Sequence, residues 1–317
     1  MIQYLVILLD DTSTSYCHYT NDREVRRLID LETLKKGILF GMKENQNIQI
    51  VYPPYSIPQE YSNLLEDTDC VKIKPAQTPG AADAIVFNGL TEAEGFEFND
   101  DVIYILRIDK ETLFNEYVNV ERILEHTKRL NIILTDVEAF TDNDFDRYES
   151  VLSHLSGKIE SLYSQGRTPQ CNVLTDRILL TGMNNCGAGE TTVTLAPDGK
   201  FYACPAFYLC ENDASIGDVE NGLDIKNPQL YHLDHAPICR NCDAYQCHRC
   251  VWLNKRTTLE VNTPGRRQCI IAHLERNASQ KLQKALAKHS DVFTSYKEIK
   301  EIDYLDPFEN RKEWIEK

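Results

Sequence analysis

Of eleven cysteines in the chain, eight fall in one window: Cys186, Cys204, Cys210, Cys239, Cys242, Cys247, Cys250 and Cys269. Two C-x-x-C pairs, Cys239/Cys242 and Cys247/Cys250, follow almost back to back in CRNCDAYQCHRC. A C-x-x-C turn brings two thiolates to one side of a tight loop, where one metal centre can hold both. Soft thiolates in that number select zinc or iron–sulfur clusters over hard cations. Cys17, Cys70 and Cys171 are scattered. The odd total fits a disulfide framework poorly, and in a reducing compartment clustered cysteines are more often metal ligands.

Other groups carry weaker signals. His232 and His235 in YHLDHAP are candidate metal ligands, but loop histidines beside such a site are more often surface or supporting groups. Asp10 and Asp11 end the first apolar run, where parallel β/α folds build sites. Trp252, Asn254, Lys255 and Arg256 follow the cysteines and are candidates to pack around a centre. Arg266 and Arg267 flank Cys269 and read either as charge-tuning groups or as ordinary exposed bases. The chain has no G-x4-G-K-[S/T] phosphate loop, no H-E-x-x-H and no G-x-S-x-G.

The elements that must position these residues divide the chain by character. Apolar runs predict strands over 4–9, 48–52, 84–87, 102–107 and 132–135, and helical periodicity predicts helices over 31–43, 110–130 and 142–163. Thr141, followed by Asp142, Asn143 and Asp144, is a predicted N-cap. Strand–helix alternation implies parallel β/α units. Five or six such units are visible in the sequence, fewer than the eight of a closed barrel. QGRTP at 165–169 reads as a linker. Beyond it, TTVTL, the turn APDG and KFYA predict a β-hairpin, and a helix returns over 270–289. The terminal KEIKEIDYLDPFENRKEWIEK is a charged tail with interspersed aromatics.

A length of 317 residues supports a full core. The first apolar run is too short to span a membrane and lacks signal-peptide flanks, so the expected location is cytoplasmic, with no membrane partner. A net charge of −15 argues against nucleic-acid binding.

After Cys186 come twelve residues, Gly199, four more, and Cys204. Ile216-Gly217-Asp218, the paired cysteines and a last cysteine follow. This pattern resembles the SPASM domain that extends many radical S-adenosylmethionine (SAM) peptide-modifying enzymes. The chain departs from that family in reading C-x2-C-x4-C-x2-C where C-x2-C-x5-C-x3-C is usual. The resemblance implies two 4Fe–4S clusters. Cys186, Cys204 and Cys250 would serve the first, with Cys210 or Cys171 as a possible fourth ligand; Cys239, Cys242, Cys247 and Cys269 would serve the second. Two zinc ions on the same cysteines remain the alternative.

The catalytic loop of such enzymes is C-x3-C-x2-C just after the first strand. Here Cys17 matches its last cysteine, while Asp10 and Thr14 occupy the other two positions. SAM binding is therefore not expected, and Cys17 reads as a relic. This combination resembles the CXXX-repeat peptide maturases. The resemblance implies an α/β fold: a partial, open TIM-barrel-like β/α domain over 1–167, a cysteine-rich SPASM-like domain over 168–275, and a C-terminal helix and tail over 276–317. It further implies a non-catalytic partner of a radical SAM enzyme, in a heterodimer that modifies a cysteine-containing precursor peptide, with thioether formation the expected chemistry. A zinc-binding peptide adaptor and an autonomous iron–sulfur redox enzyme are the competing readings.

Overall fold

The opening apolar run, YLVIL, becomes an interior strand of a parallel sheet. The structure is a computed structural model describing residues 1–210 and 214–288. In chain order its elements are β1 (Tyr4–Leu8), α1 (Leu31–Lys43), β2 (Asn47–Val51), α2 (Gln59–Glu66), β3 (Val71–Pro75), β4 (Ala84–Asn88), β5 (Ile103–Ile108), α3 (Lys110–His126), β6 (Arg129–Leu134) and α4 (Asp142–Ser164). Then follow β7 (Gln170–Cys171), α5 (Asp176–Leu179), β8 (Thr192–Leu195), β9 (Lys200–Tyr202), α6 (Pro205–Leu209), β10 (Ser215–Asp218), β11 (Gly222–Leu223), α7 (Val251–Thr258) and α8 (Arg266–Leu286). Short 3-10 turns punctuate the loops. The charged tail lies outside the described residues.

Two compact units divide the chain. The first gathers Met1–Phe96, Asp101–Arg107 and Cys186–His232. The second gathers Glu97–Asp100, Ile108–Asn185 and the described residues from Leu233 onward.

In the first unit, β8, β1, β2, β3, β4 and β5 pair in that order, all parallel. β9, β10 and β11 extend the β8 edge as antiparallel strands. Leu5, Ile7, Ile48, Ile50, Val193 and Leu195 form one apolar core with Leu34 and Ile38 of α1. α1 begins on Asp30, whose carboxylate accepts from the backbone N–H groups of Glu32 (3.0 Å) and Thr33 (3.2 Å). Its buried Gly37 and Gly41 let it approach the sheet closely: a Cβ on Gly37 would lie 2.2 Å from Leu195 Cδ2, and one on Gly41 3.0 Å from Ile48 Cγ1.

The predicted hairpin forms from β8 and β9, with Leu195 opposite Phe201. Gly199 occupies the left-handed region at φ 79°, as its turn position requires. Asp198 fastens the turn by accepting from Lys200 N (3.1 Å) and the Tyr202 hydroxyl (2.8 Å).

In the second unit, β6 and β7 pair in parallel, and α4 packs against both α3 and α8. The N-cap expected at Thr141 is a capping box with Asp144. The helix expected over 110–130 instead ends at His126, because Thr127 is extended (φ −123°, ψ 146°) and β6 begins at Arg129. The strand there starts earlier than expected, since buried Leu130 and Ile132 alternate with partly exposed Arg129 and Asn131. β3 and α2 are additional to the sequence expectation. Among the described residues no helix is long and apolar enough to cross a membrane.

Candidate cysteine centres

In the second unit, a 3-10 turn over Cys239–Asn241 closes the first C-x-x-C pair, with Cys242 N donating to Cys239 O at 3.0 Å. The chain then folds back, Cys247 N reaching Ala244 O at 2.9 Å. Cys269 lies in the first turn of α8, and His273 follows one turn later on the same helix. Cys239, Cys242, Cys247 and Cys269 line one cavity together with Arg249 and His273, against an apolar wall that includes Ile238, Ala244 and Ala272. His273 Nε2 lies 3.5 Å from Cys242 Sγ. With the side chains as they stand the cavity measures about 30 Å³, room for one or two waters. No three His, Cys, Asp or Glu side chains among the described residues are grouped as ligands of one metal ion.

Inside the cavity, burial holds the thiols protonated while nearby donors pull the other way. Burial pushes the Cys239 thiol up to about 11, while the Arg249 charge pulls it down. Burial likewise pushes Cys247 well up, against a hydrogen bond from the Arg249 backbone. Ala244 N points to Cys242 Sγ at 3.4 Å. Backbone N–H groups aimed at sulfur favour the thiolate over the thiol. By donor type alone, four cysteine thiols beside one imidazole fit a thiolate-ligated metal centre; loading it requires the thiols to turn toward the metal and lose their protons.

Cys250 is placed differently. It is the N-cap of α7, its sulfur accepting from Leu253 N at 3.5 Å, and it belongs to the second unit. Cys186 and Cys204 belong to the first. There they lie near Tyr16, whose hydroxyl pKa is pushed up by burial first and then by the neighbouring Cys17, Tyr19, Cys204 and Cys186. Cys204 is the N-cap of α6, ahead of Pro205. Cys210, exposed at the other end of that helix, donates to Thr20 O at 3.7 Å. Cys171 is fully buried in β7, its thiol pushed up to about 12 by burial.

The loop after β1 is built by its own polar side chains. Asp10 Oδ1 accepts from Thr12 N (2.8 Å) and Thr12 Oγ1 (2.6 Å), and Ser13 Oγ donates to Val51 O (3.0 Å). Asn21 Nδ2 donates to the carbonyls of Asp11 and Ser13, both at 2.9 Å. Asp11 accepts from the Tyr208 hydroxyl and pairs with Arg23 at 3.5 Å. Arg107, buried near the end of β5, clamps the loop: Nε donates to Cys17 O at 3.1 Å and Nη2 to Tyr19 O at 2.6 Å. Burial lowers its pKa, but a guanidinium stays charged regardless.

The remaining candidates have local roles. His232 Nδ1 lies 3.5 Å from Glu190, and the His235 carbonyl accepts from Asn262. Arg266 pairs with Asp142 at 3.3 Å, and Arg267 Nε donates to Phe140 O at 2.6 Å. Asn254 donates to Val261 O, and Arg256 pairs with Glu138. Sequence reasoning missed Arg107, Arg249 and His273. Only His273 left a readable signal, its i, i+4 spacing from Cys269.

Comparison with known proteins places the fold. No protein-family model matches the chain, and no curated protein matches its sequence. Solved structures do. A structure of anSMEcpe with bound AdoMet is 12% identical, covers 92% of this chain and 97% of that one, and has a TM-score of 0.64. A second, with bound AdoMet and Cp18Cys peptide, is 13% identical, covers 90% of this chain and 100% of that one, with a TM-score of 0.62. The likeness shows the fold alone: this chain shares the α/β, partial β/α barrel architecture of anSMEcpe, the fold class expected from the sequence.

Proposed function

We propose that this chain is the partner subunit of a radical SAM peptide maturase. It would bind the catalytic enzyme and a cysteine-containing precursor peptide, and carry auxiliary iron–sulfur centres. The observation that carries this reading is one fold holding two opposite features. The loop that would hold the catalytic cluster has Asp10 and Thr14 in place of cysteines, with Asp10 spent on Thr12. The second unit encloses Cys239, Cys242, Cys247 and Cys269 in one cavity. Those four are the proposed ligands of one 4Fe–4S cluster. Cys186, Cys204 and Cys250 are proposed for the other on their spacing alone.

Such centres, when bound, supply one-electron redox capacity and an iron face for sulfur ligation. The chain's own residues shape everything else. Ala244 N and the Arg249 backbone donate toward cavity sulfurs, Ala244 and Ala272 give the cavity apolar lining, and Arg107 holds the loop after β1 in place. The peptide-bound anSMEcpe structure supports a peptide partner, because the same fold accommodates one there.

A structural zinc adaptor is the second reading, favoured by the His273–Cys242 approach of 3.5 Å, since histidine and cysteine together suit zinc. The test of the partner role is SAM cleavage. The anaerobically reconstituted chain alone should release no 5′-deoxyadenosine under dithionite, and peptide modification should appear only with a complete radical SAM enzyme. Cleavage by the chain alone would overturn the reading.

A further inference from the structure

His273 is 8% exposed and lies on α8 one turn beyond Cys269, so the helix presents both side chains to the same cavity. Its Nε2 lies 3.5 Å from Cys242 Sγ, within hydrogen-bond reach of a sulfur. Ala244 N reaches the same sulfur at 3.4 Å. Cys242 Sγ thus has two nitrogen neighbours, one from its own turn and one from a distant helix. The chemistry of sulfur decides which way the bond to His273 runs. A thiol can donate its proton to an imidazole nitrogen, whereas a metal-bound thiolate has no proton and only accepts. Beside such a thiolate, Nε2 must be the atom that carries the hydrogen.

We propose that His273 is a positioning residue of the second unit's centre: its Nε2–H donates to the Cys242 sulfur when that sulfur is bound to an iron–sulfur cluster, and so raises the reduction potential there. The inference rests on the iron–sulfur reading above. Reduction adds the negative charge of one electron, shared between the irons and their thiolates. A hydrogen bond donated to anionic sulfur strengthens with that charge, so it favours the reduced form. This role is distinct from ligation: Cys239, Cys242, Cys247 and Cys269 all remain ligands, and His273 acts through one of them.

The test uses the full chain, reconstituted anaerobically with iron and sulfide, reduced stepwise by dithionite through redox mediators and followed by electron paramagnetic resonance. His273→Leu removes the donor and keeps an apolar side chain in a buried position; His273→Gln keeps an N–H donor. With iron and sulfide content equal to that of the parent, His273→Leu should move one reduction wave to a more negative midpoint and leave the other in place. His273→Gln should recover much of the shift. A fully loaded His273→Leu chain that reduces as the parent does overturns the proposal. A second measurement needs no folded variant: the parent labelled with 15N-histidine should show a weak 15N coupling to the reduced centre, as a hydrogen-bonded imidazole gives. No coupling, or the strong coupling of a nitrogen bonded directly to iron, overturns the donor role. Zinc without sulfide in the parent chain overturns the iron–sulfur reading first, and this inference with it, before any variant is made.

Discussion

Glu275 lies inside the second unit with Tyr148 donating to one carboxylate oxygen (2.8 Å) and Gln246 to the other (3.3 Å). Burial raises its pKa to about 7 from an ordinary 4.5, against those two hydrogen bonds. The folded form therefore holds a proton that the unfolded chain releases near 4.5. Its stabilising contribution is complete below that value and is lost as pH rises through about 7, on the order of 3 kcal/mol in all. Thermal unfolding scanned from pH 4.5 to 7 should show this loss, and Glu275→Gln should flatten it; an unchanged slope in the variant would contradict the assignment. Arg107 gives a second residue-scale test. Arg107→Met leaves the carbonyls of Cys17 and Tyr19 without their donor. It should cost about 2–4 kcal/mol in denaturant titration and hasten proteolysis within residues 10–21. Neither residue announced itself in the sequence. A glutamate in a helix and an arginine closing a strand look alike whether solvated or buried, and only packing decides.

At the scale of elements, α1 depends on two small residues one turn apart. Gly37→Ala places a methyl 2.2 Å from Leu195, a side chain with no exposure in which to retreat. A net loss of about 1–3 kcal/mol is expected despite alanine's better helix propensity, read as a lower unfolding midpoint. In β10, a Cβ at Gly217 would lie 2.1 Å from the Gly222 carbonyl at φ 127°, so Gly217→Ala should loosen the β10–β11 edge, seen as faster amide exchange there. Strands β1, β4 and β5 were legible because continuous apolar runs have few other fates, and β2 because Ile48 and Ile50 alternate with Asn47 and Gln49. β3 was not: VKIKP looks half solvated, yet Lys74 is buried, its ammonium 4.8 Å from the centroid of the Tyr52 ring and donating to Pro79 O at 3.1 Å. The end of α3 was misplaced because Lys128, Arg129 and Leu130 continue a helical pattern that the pairing of Leu130 with Cys171 overrides. C-x-x-C spacing made the cysteine turns legible. Arg249 and His273 became part of the cavity only through the fold.

For the whole molecule, the fold and the cysteine sets pull the functional reading in one direction. The fold is like that of anSMEcpe, the loop after β1 is held by hydrogen bonds of Asp10, Thr12, Ser13 and Asn21, and thiols gather in the second unit. If metal binding is part of folding, the loaded chain should unfold at a higher temperature than the metal-free chain. Cys242→Ser should then lose most of that gain while leaving the metal-free midpoint nearly unchanged. The central claim, that these cysteines hold iron–sulfur centres, is tested most directly by iron, acid-labile sulfide and zinc content after anaerobic purification. Two clusters predict roughly eight irons and eight sulfides per chain. About two zincs with no sulfide would contradict the claim and leave a structural adaptor.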